Sequence, residues 1–315
     1  MAFDGIVLSR VTELLNETIV TGRISKLYQI SKYELLMTVR AQNENKKLLV
    51  SIHPMYARVQ LTQLNYPTPD FPNALTMFLR KHIEGSFIES IEQVGLDRIL
   101  KITLRGRNEF KDLVEYHLYI EIMGKHSNFI LTNKEDKILE CLKRVSPSDS
   151  IRIMQPGITY SYPPLLEKKN SFENRPETTN LVKEFEGFSK DLAEEAASRM
   201  EQGEDFKTIM NEIKESKELY ITRGDKEKYH VIPLHCFGKK IDQYSLFDGL
   251  DAYYQFIDQK DRIKQQTSDI LHFIQKEYTK NVNKLDKLEK TLFDSHNSDE
   301  YRIKGDLLYA SLRLI

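Results

Sequence analysis

The sequence has no tryptophan and only two cysteines in 315 residues, and its 46 basic side chains nearly balance 47 acidic ones. Two cysteines exclude a disulfide scaffold. Cys141 and Cys236 lie far apart, without a Cys-x-x-Cys pair or a histidine at ligand spacing, so no metal site is predicted, and no cofactor. No window approaches 18 uninterrupted apolar residues, which excludes insertion as an apolar membrane-spanning helix. The opening Met1-Ala2-Phe3-Asp4-Gly5 lacks the basic stretch and apolar run of a secretory signal, so a cytoplasmic protein is expected. Residues 1–166 hold 21 basic and 18 acidic residues, and residues 167–315 hold 25 and 29. Neither half is a polyelectrolyte, so any nucleic acid must be held by a local basic patch.

What is present is 40% hydrophobic and 30% charged, the composition of a globular protein with room for two domains and an extension. Apolar residues at 11, 14, 15 and 19 predict a short opening helix. Arg23 to Ile30, Tyr33 to Arg40 and Lys47 to Ile52 read as an antiparallel meander. The proline-rich stretch from Pro54 to Pro72 reads as a loop, and Ala74 to Ile83 as a second helix. Further strands are predicted over Phe87 to Val94, Arg98 to Leu104, Val114 to Met123 and Asn128 to Leu131. The fold class is α+β, with a sheet-rich domain over residues 1–170.

Pro163, Pro164 and the polar run from Glu167 to Asn180 read as a linker. A small, mostly helical domain is expected over 178–260, with helices at Leu181 to Phe185, Ser189 to Met200, Phe206 to Tyr220 and Leu246 to Asp258, and a short β-like patch around Tyr229 to Pro233. Phe185-Glu186-Gly187-Phe188-Ser189 has the form of a helix-hairpin-helix turn, in which Gly187 can direct backbone N–H groups toward a phosphate, although Glu184 and Glu186 oppose that use. From Asp261 onward apolar residues at 263, 270, 274, 278, 282, 285, 288 and 292 suggest the start of a coiled-coil arm over 261–315, truncated within a larger protein. A single amphipathic helix packed on the body is the alternative.

No nucleophile motif, Walker loop, dinucleotide fingerprint or His-Glu-x-x-His is present, so no catalytic residue is predicted and the chain is read as a binding factor. Three basic groups stand out: Arg80-Lys81-His82, Asp97-Arg98, and Arg105-Gly106-Arg107. Arginine offers phosphate a planar fork and lysine a point charge, so loops carrying both can hold an RNA backbone. Each also has a plain reading as solvated surface, and Asp97-Arg98 as a surface ion pair worth about 0–1 kcal/mol.

Five ordered blocks then narrow the choice: Met1 to Gly5, Gly22-Arg23-Ile24-Ser25-Lys26-Leu27-Tyr28-Gln29, Arg80-Lys81-His82-Ile83-Glu84-Gly85, Gly95-Leu96-Asp97-Arg98-Ile99, and Glu121-Ile122-Met123-Gly124-Lys125-His126-Ser127-Asn128. These resemble the NFACT family, and a looser similarity covers the rest of the chain. The resemblance implies a ribosome-associated quality-control factor. Such a factor binds the large ribosomal subunit with stranded peptidyl-tRNA and recruits tRNA, alanyl in bacteria, for template-free C-terminal tailing. Asp97-Arg98 matches the family's Asp-Arg pair associated with tRNA recruitment. The predicted tRNA patch is Asp97, Arg98, Arg105, Arg107, Lys125 and His126, with Arg80, Lys81, His82 and Gly187 as further nucleic-acid contacts. The first domain is similar in fold to the N-terminal domain of formamidopyrimidine-DNA glycosylases, but Ala2 and Phe3 stand where those enzymes carry their nucleophilic proline and a glutamate. Two other readings remain at this point: a fibronectin-binding adhesin exposed on the surface by non-classical export, and a glycosylase-like repair protein.

Overall fold

The computed structural model describes residues 3–148, 150, 152–164 and 167–312. The Asp4 carboxylate accepts the Val7 N–H at 2.9 Å and caps α1 (Gly5–Ile19), so the first helix begins well before the apolar period at Val11 announces it. Four strands follow: β1 (Arg23–Ser31), β2 (Glu34–Ala41), β3 (Glu44–Ser51) and β4 (Arg58–Thr62). The last falls in the stretch read as loop. All five of its residues are buried: Val59 and Leu61 alternate with Arg58, Gln60 and Thr62, and the polar face is buried because Gln60 and Thr62 donate to the Asp251 carboxylate.

Helix α2 (Ala74–Ile83) is capped by Asn73, whose side chain accepts the Thr76 N–H at 2.9 Å. Five more strands complete the sheet: β5 (Phe87–Gln93), β6 (Ile99–Arg107), β7 (Leu113–Glu121), β8 (Asn128–Asn133) and β9 (Ile138–Cys141). The strand order is β4-β3-β2-β1-β5-β6-β7-β8-β9, antiparallel throughout. Between β1 and β5 the only register pair is Arg23 with Phe87, so the two halves of the sheet join at one end and part beyond it. Helix α2 runs beside β1 here: the Thr76 hydroxyl accepts the Gln29 N–H at 3.3 Å, and Arg80 Nε donates to the Leu27 carbonyl at 2.9 Å.

Because each strand is antiparallel to its sheet neighbour, one end of the sheet gathers the ends of β2, β4, β5, β7 and β9 with the starts of β1, β3, β6 and β8. The sequence blocks carrying Asp97-Arg98 and Lys125-His126 both fall at this end. The block carrying Arg105 and Arg107 falls at the other.

The polar run expected to be a linker is tied down where it is described. The Glu184 carboxylate accepts N–H bonds from Glu177 (2.8 Å) and Thr178 (2.9 Å) and the Thr178 hydroxyl (2.8 Å). Burial pushes this carboxyl up, but these bonds and Lys169 outweigh it and hold it at about 2. Beyond lie α3 (Leu181–Glu184), α4 (Lys190–Glu201), α5 (Phe206–Glu215), then β10 (Glu218–Arg223), β11 (Lys228–His230) and β12 (Lys240–Ser245), which form a sheet ordered β11-β10-β12. The domain is mostly helical, and β11 falls at the β-like patch expected near Tyr229, while β10 and β12 lie outside any expected strand. The helix expected to reach Tyr220 ends at Glu215, because Leu219 and Ile221 alternate with polar neighbours in a strand whose inner residues are buried.

One helix, α6 (Leu246–Ser311), takes in both the expected helix at Leu246 to Asp258 and the one expected from Asp261, since no glycine or proline interrupts 250–304. The chain divides into compact units at Met1–Gln255 and Phe256–Ile315. Within the second, the side chains of Ile270, Ile274, Leu285 and Leu288 are exposed along the helix.

The start of α1 and the turn after α3 meet backbone to backbone. The Gly5 N–H donates to the Gly187 carbonyl at 3.1 Å, and a Cβ on Gly5 would lie 1.9 Å from the Leu96 carbonyl oxygen. Gly187 holds φ at +77°, and a Cβ there would lie 2.7 Å from the same oxygen. Gly5→Ala is therefore expected to cost about 2 kcal/mol or more, since backbone and not a flexible side chain must move. Denaturant titration checks this, and a wild-type midpoint would contradict it.

Candidate nucleic-acid interface

The Asp97-Arg98 pair sits on a turn held from both sides. The Gln93 side-chain amide donates to the Gly5 carbonyl at 2.8 Å and to the Asp97 carbonyl at 2.9 Å, while the Glu186 carboxylate accepts the Leu96 N–H at 3.0 Å. The Arg98 N–H donates to the Asp97 carboxylate at 2.7 Å, and the Arg98 carbonyl accepts from Ile122 at 2.8 Å. Both side chains are half-buried at the mouth of a cavity of about 450 Å³, which Lys168, Gly187, Ser189 and Lys190 also line. Glu186, expected to repel phosphate, instead spends its carboxylate on the turn beneath Asp97. Glu184 spends its own on residues 177–178.

The wall of this cavity includes the N-termini of two helices. Ser189 caps α4, its hydroxyl accepting the Leu192 N–H at 3.3 Å, and Asp4 caps α1. Asp4 is buried, with His230 Nε2 at 3.4 Å from its free oxygen. Burial raises the Asp4 carboxyl, but the charge of His230 and hydrogen bonds from His230, Ser189 and Val7 leave it below its ordinary value. Lys168 Nζ donates to the Val182 carbonyl at 2.7 Å, and Asp191 is ion-paired with Lys228. The cavity thus offers cations and N–H dipoles for phosphate, with Asp97 as an acceptor for hydroxyl or amino hydrogens.

Lys125 and His126 occupy a single 3₁₀ turn, Gly124–His126, between β7 and β8. Both are exposed and stand at the same sheet end as Arg98, to which their strand is joined by the Ile122 hydrogen bond.

Arg105 and Arg107 do not join them, contrary to the single patch expected from the sequence. Strand β6 runs from Ile99 to Arg107, nine residues, and at about 3.3 Å per residue it sets the two groups roughly 25–30 Å apart. Arg105 pairs with Glu89 at 2.6 Å, and Arg107 donates to the Lys111 carbonyl at 2.9 Å. Arg80, Lys81 and His82 belong to this second end. Lys81 pairs with Glu109 at 3.2 Å, the Arg80 guanidinium lies 4.7 Å from the Tyr28 ring centre, and His82 stacks on Phe78 at 4.1 Å.

Sequence reasoning missed Gln93 and Asp4 as positioning groups, because neither has a local signature of its role. Glu121, within the last of the five blocks, is buried in an ion pair with Arg152 and accepts the Tyr160 hydroxyl at 2.8 Å. Among the described residues no cluster of three or more His, Cys, Asp or Glu could hold a metal. Burial pushes both Cys141 and Cys236 up to about 12, Cys236 with help from Glu195, so each is a neutral thiol at pH 7 and a poor nucleophile.

Two outcomes follow from this geometry. Asp97→Ala removes one acceptor from a turn that Gln93, Glu186 and Ile122 still hold, so its cost should be about 0.5–1.5 kcal/mol. A loss large enough to unfold the chain near room temperature would show the carboxylate to be structural. Asp4 has a folded pKa below its unfolded one, so its contribution is present above the ordinary value of 3.8 and is lost as pH falls through the folded value. Asp4→Asn should therefore be less stable than wild type at pH 6, the difference narrowing as pH falls below about 4. A constant difference in urea midpoints across that window would contradict the assignment.

Among the described residues no helix is long and apolar enough to cross a membrane. The family profile described as NFACT N-terminal and middle domains matches residues 4–315. The Rqc2 homolog RqcH of Bacillus subtilis is 39% identical over 339 residues, covering 100% of this chain and 60% of its own length. The archaeal Rqc2 homolog aRqcH of Methanocaldococcus jannaschii is 25% identical, covering 97% of this chain and 49% of its own. The solved N-terminal part of the fibronectin/fibrinogen-binding protein from Streptococcus suis superposes with a TM-score of 0.72 at 34% identity, covering 80% of this chain and 99% of that one. The fibrinogen-binding protein from Staphylococcus aureus gives 0.71 at 32% identity, covering 81% and 99%. The chain spans about 60% of the length of the Bacillus relative. It belongs to the family of NFACT N-terminal and middle domains.

Proposed function

We propose that this chain is the N-terminal part of a cytoplasmic ribosome quality-control factor. In this reading it binds the large ribosomal subunit with stranded peptidyl-tRNA and recruits tRNA, alanyl in bacteria, for untemplated extension of the nascent chain. The observation that carries the reading is the turn at Asp97-Arg98: the backbone that bears a carboxylate and a guanidinium is held by hydrogen bonds at the mouth of a cavity walled by helix N-termini, with Lys125 and His126 at the same sheet end. The names of its relatives, Rqc2 homolog and ribosome quality control complex subunit, support it. The chain's part is to bind and orient RNA; no residue is assigned to catalysis.

In this account Arg98, Lys125 and His126 meet tRNA, with Asp97 setting the geometry and accepting from a ribose or base. Arg105 and Arg107 lie too far away to share that contact. Binding should fall steeply with salt, as phosphate contacts release counterions. Arg98→Ala should weaken tRNA binding by about ten-fold or more, given about 1.5–3 kcal/mol for each charge-assisted bond lost, while Arg105→Ala should change it little. The measurement is tRNA retention on the purified chain at low and moderate salt, with cosedimentation on large subunits as a second readout. Equal losses in the two variants, or binding insensitive to salt, would contradict the reading. Retention on fibronectin but not on tRNA would favour the adhesin reading, which the similarity to the fibronectin/fibrinogen-binding protein of Streptococcus suis raises.

A further inference from the structure

A second groove, of about 680 Å³, opens where the β1–β2 turn and α2 face the end of β9, the last strand of the sheet. Lys32 and Tyr33 from the β1–β2 turn, Leu75 and Phe78 from α2, and Leu142 and Lys143 from the segment after β9 line it.

The groove combines rings with unneutralised cations. Lys32 Nζ and Lys143 Nζ each lie 5.3 Å from the centre of the Tyr33 ring. Among the described residues neither ammonium has a carboxylate partner. The carboxylate in the lining, Glu140, is taken by Arg144, which donates to it from Nη2 at 2.9 and 3.1 Å. Lys143 donates to the carbonyls of Ile52 at 3.2 Å and Lys125 at 3.4 Å, so the groove adjoins the Lys125-His126 turn. Burial, and then the charge of Lys32, hold Lys143 below the usual lysine range. One face of Phe78 rests on His82, and the ring is half-buried, with its edge of the groove formed by Leu75 and Leu142.

We propose that this groove holds one unpaired nucleotide of an RNA strand, its base against Phe78 and its phosphate between Lys32 and Lys143. An acidic peptide would satisfy the two ammonium groups but leave the apolar floor unused, whereas a nucleotide uses both. A volume of about 680 Å³ admits a single nucleotide with its bridging waters. The inference rests on the RNA-binding reading only for the nature of the partner; its residues are separate from Asp97 and Arg98.

The test is fluorescence anisotropy of a labelled single-stranded oligouridylate, about ten nucleotides long, with the purified 315-residue chain. Phe78→Leu keeps apolar bulk in α2 and removes the ring, and should weaken binding about ten-fold. Lys32→Ala with Lys143→Ala should weaken it further and reduce the slope of log affinity against log salt by about one to two. An unlabelled oligoglutamate of equal length is the competitor. Wild-type affinity in either variant, absence of oligouridylate binding by the wild-type chain, or displacement by oligoglutamate as efficient as by unlabelled RNA would overturn the proposal. Because the tRNA test above reads Arg98, its failure and the failure of this groove give different patterns.

Discussion

The contact on which the site depends is the closure of three backbones onto one another at Gly5, Leu96 and Gly187. A helix start, a strand-to-strand turn and an interhelical turn approach within the space of a missing Cβ. Once they are that close, Gln93 can reach both the Gly5 and Asp97 carbonyls, and Glu186 can take the Leu96 N–H. The Asp97-Arg98 turn is thereby fixed by residues from three separate stretches of chain. Such preorganisation lowers the ordering cost of binding, which for a flexible loop would consume much of what one or two phosphate contacts return.

The antiparallel sheet supplies the second constraint. With sheet neighbours running in opposite directions, two ends are formed, and the nine residues of β6 separate them. Basic residues at the second end are engaged with neighbouring groups: Arg105 with Glu89, Lys81 with Glu109, Arg80 with a carbonyl and a ring. Lys125 and His126 are exposed at the first end, and Lys143, which donates to the Lys125 carbonyl, and Lys32, across the Tyr33 ring from it, lack carboxylate partners among the described residues. The near-zero net charge of the chain therefore hides an uneven distribution, which is what local recognition of a polyanion requires.

Much of the architecture was legible where local chemistry speaks for itself. Alternation and turn residues marked the strands flanking Asn43-Glu44-Asn45, and the five blocks marked the family. Three things were not legible. β4 was hidden because its short alternation, Arg58 to Thr62, lies within a stretch that prolines at 54, 67, 69 and 72 mark as loop. The end of α5 at Glu215 was hidden because a helical and a strand pattern run together there. The separation of Arg98 from Arg107 was hidden because sequence proximity suggests spatial proximity, whereas a strand between them converts eight or nine residues into roughly 25–30 Å. The roles of Glu184 and Glu186 were likewise out of reach: each carboxylate serves backbone N–H groups distant in sequence or across a turn.

The central claim is that one end of the nine-stranded sheet is the face that meets RNA. Photo-crosslinking of bound tRNA to the chain, with the attachment sites mapped by mass spectrometry, tests it most directly. The account predicts attachment concentrated at Asp97 to Arg98, Gly124 to His126 and Gly187 to Lys190. Attachment concentrated instead on Arg105 to Lys111 or the C-terminal half of α2 would place RNA at the opposite end of the sheet and contradict it.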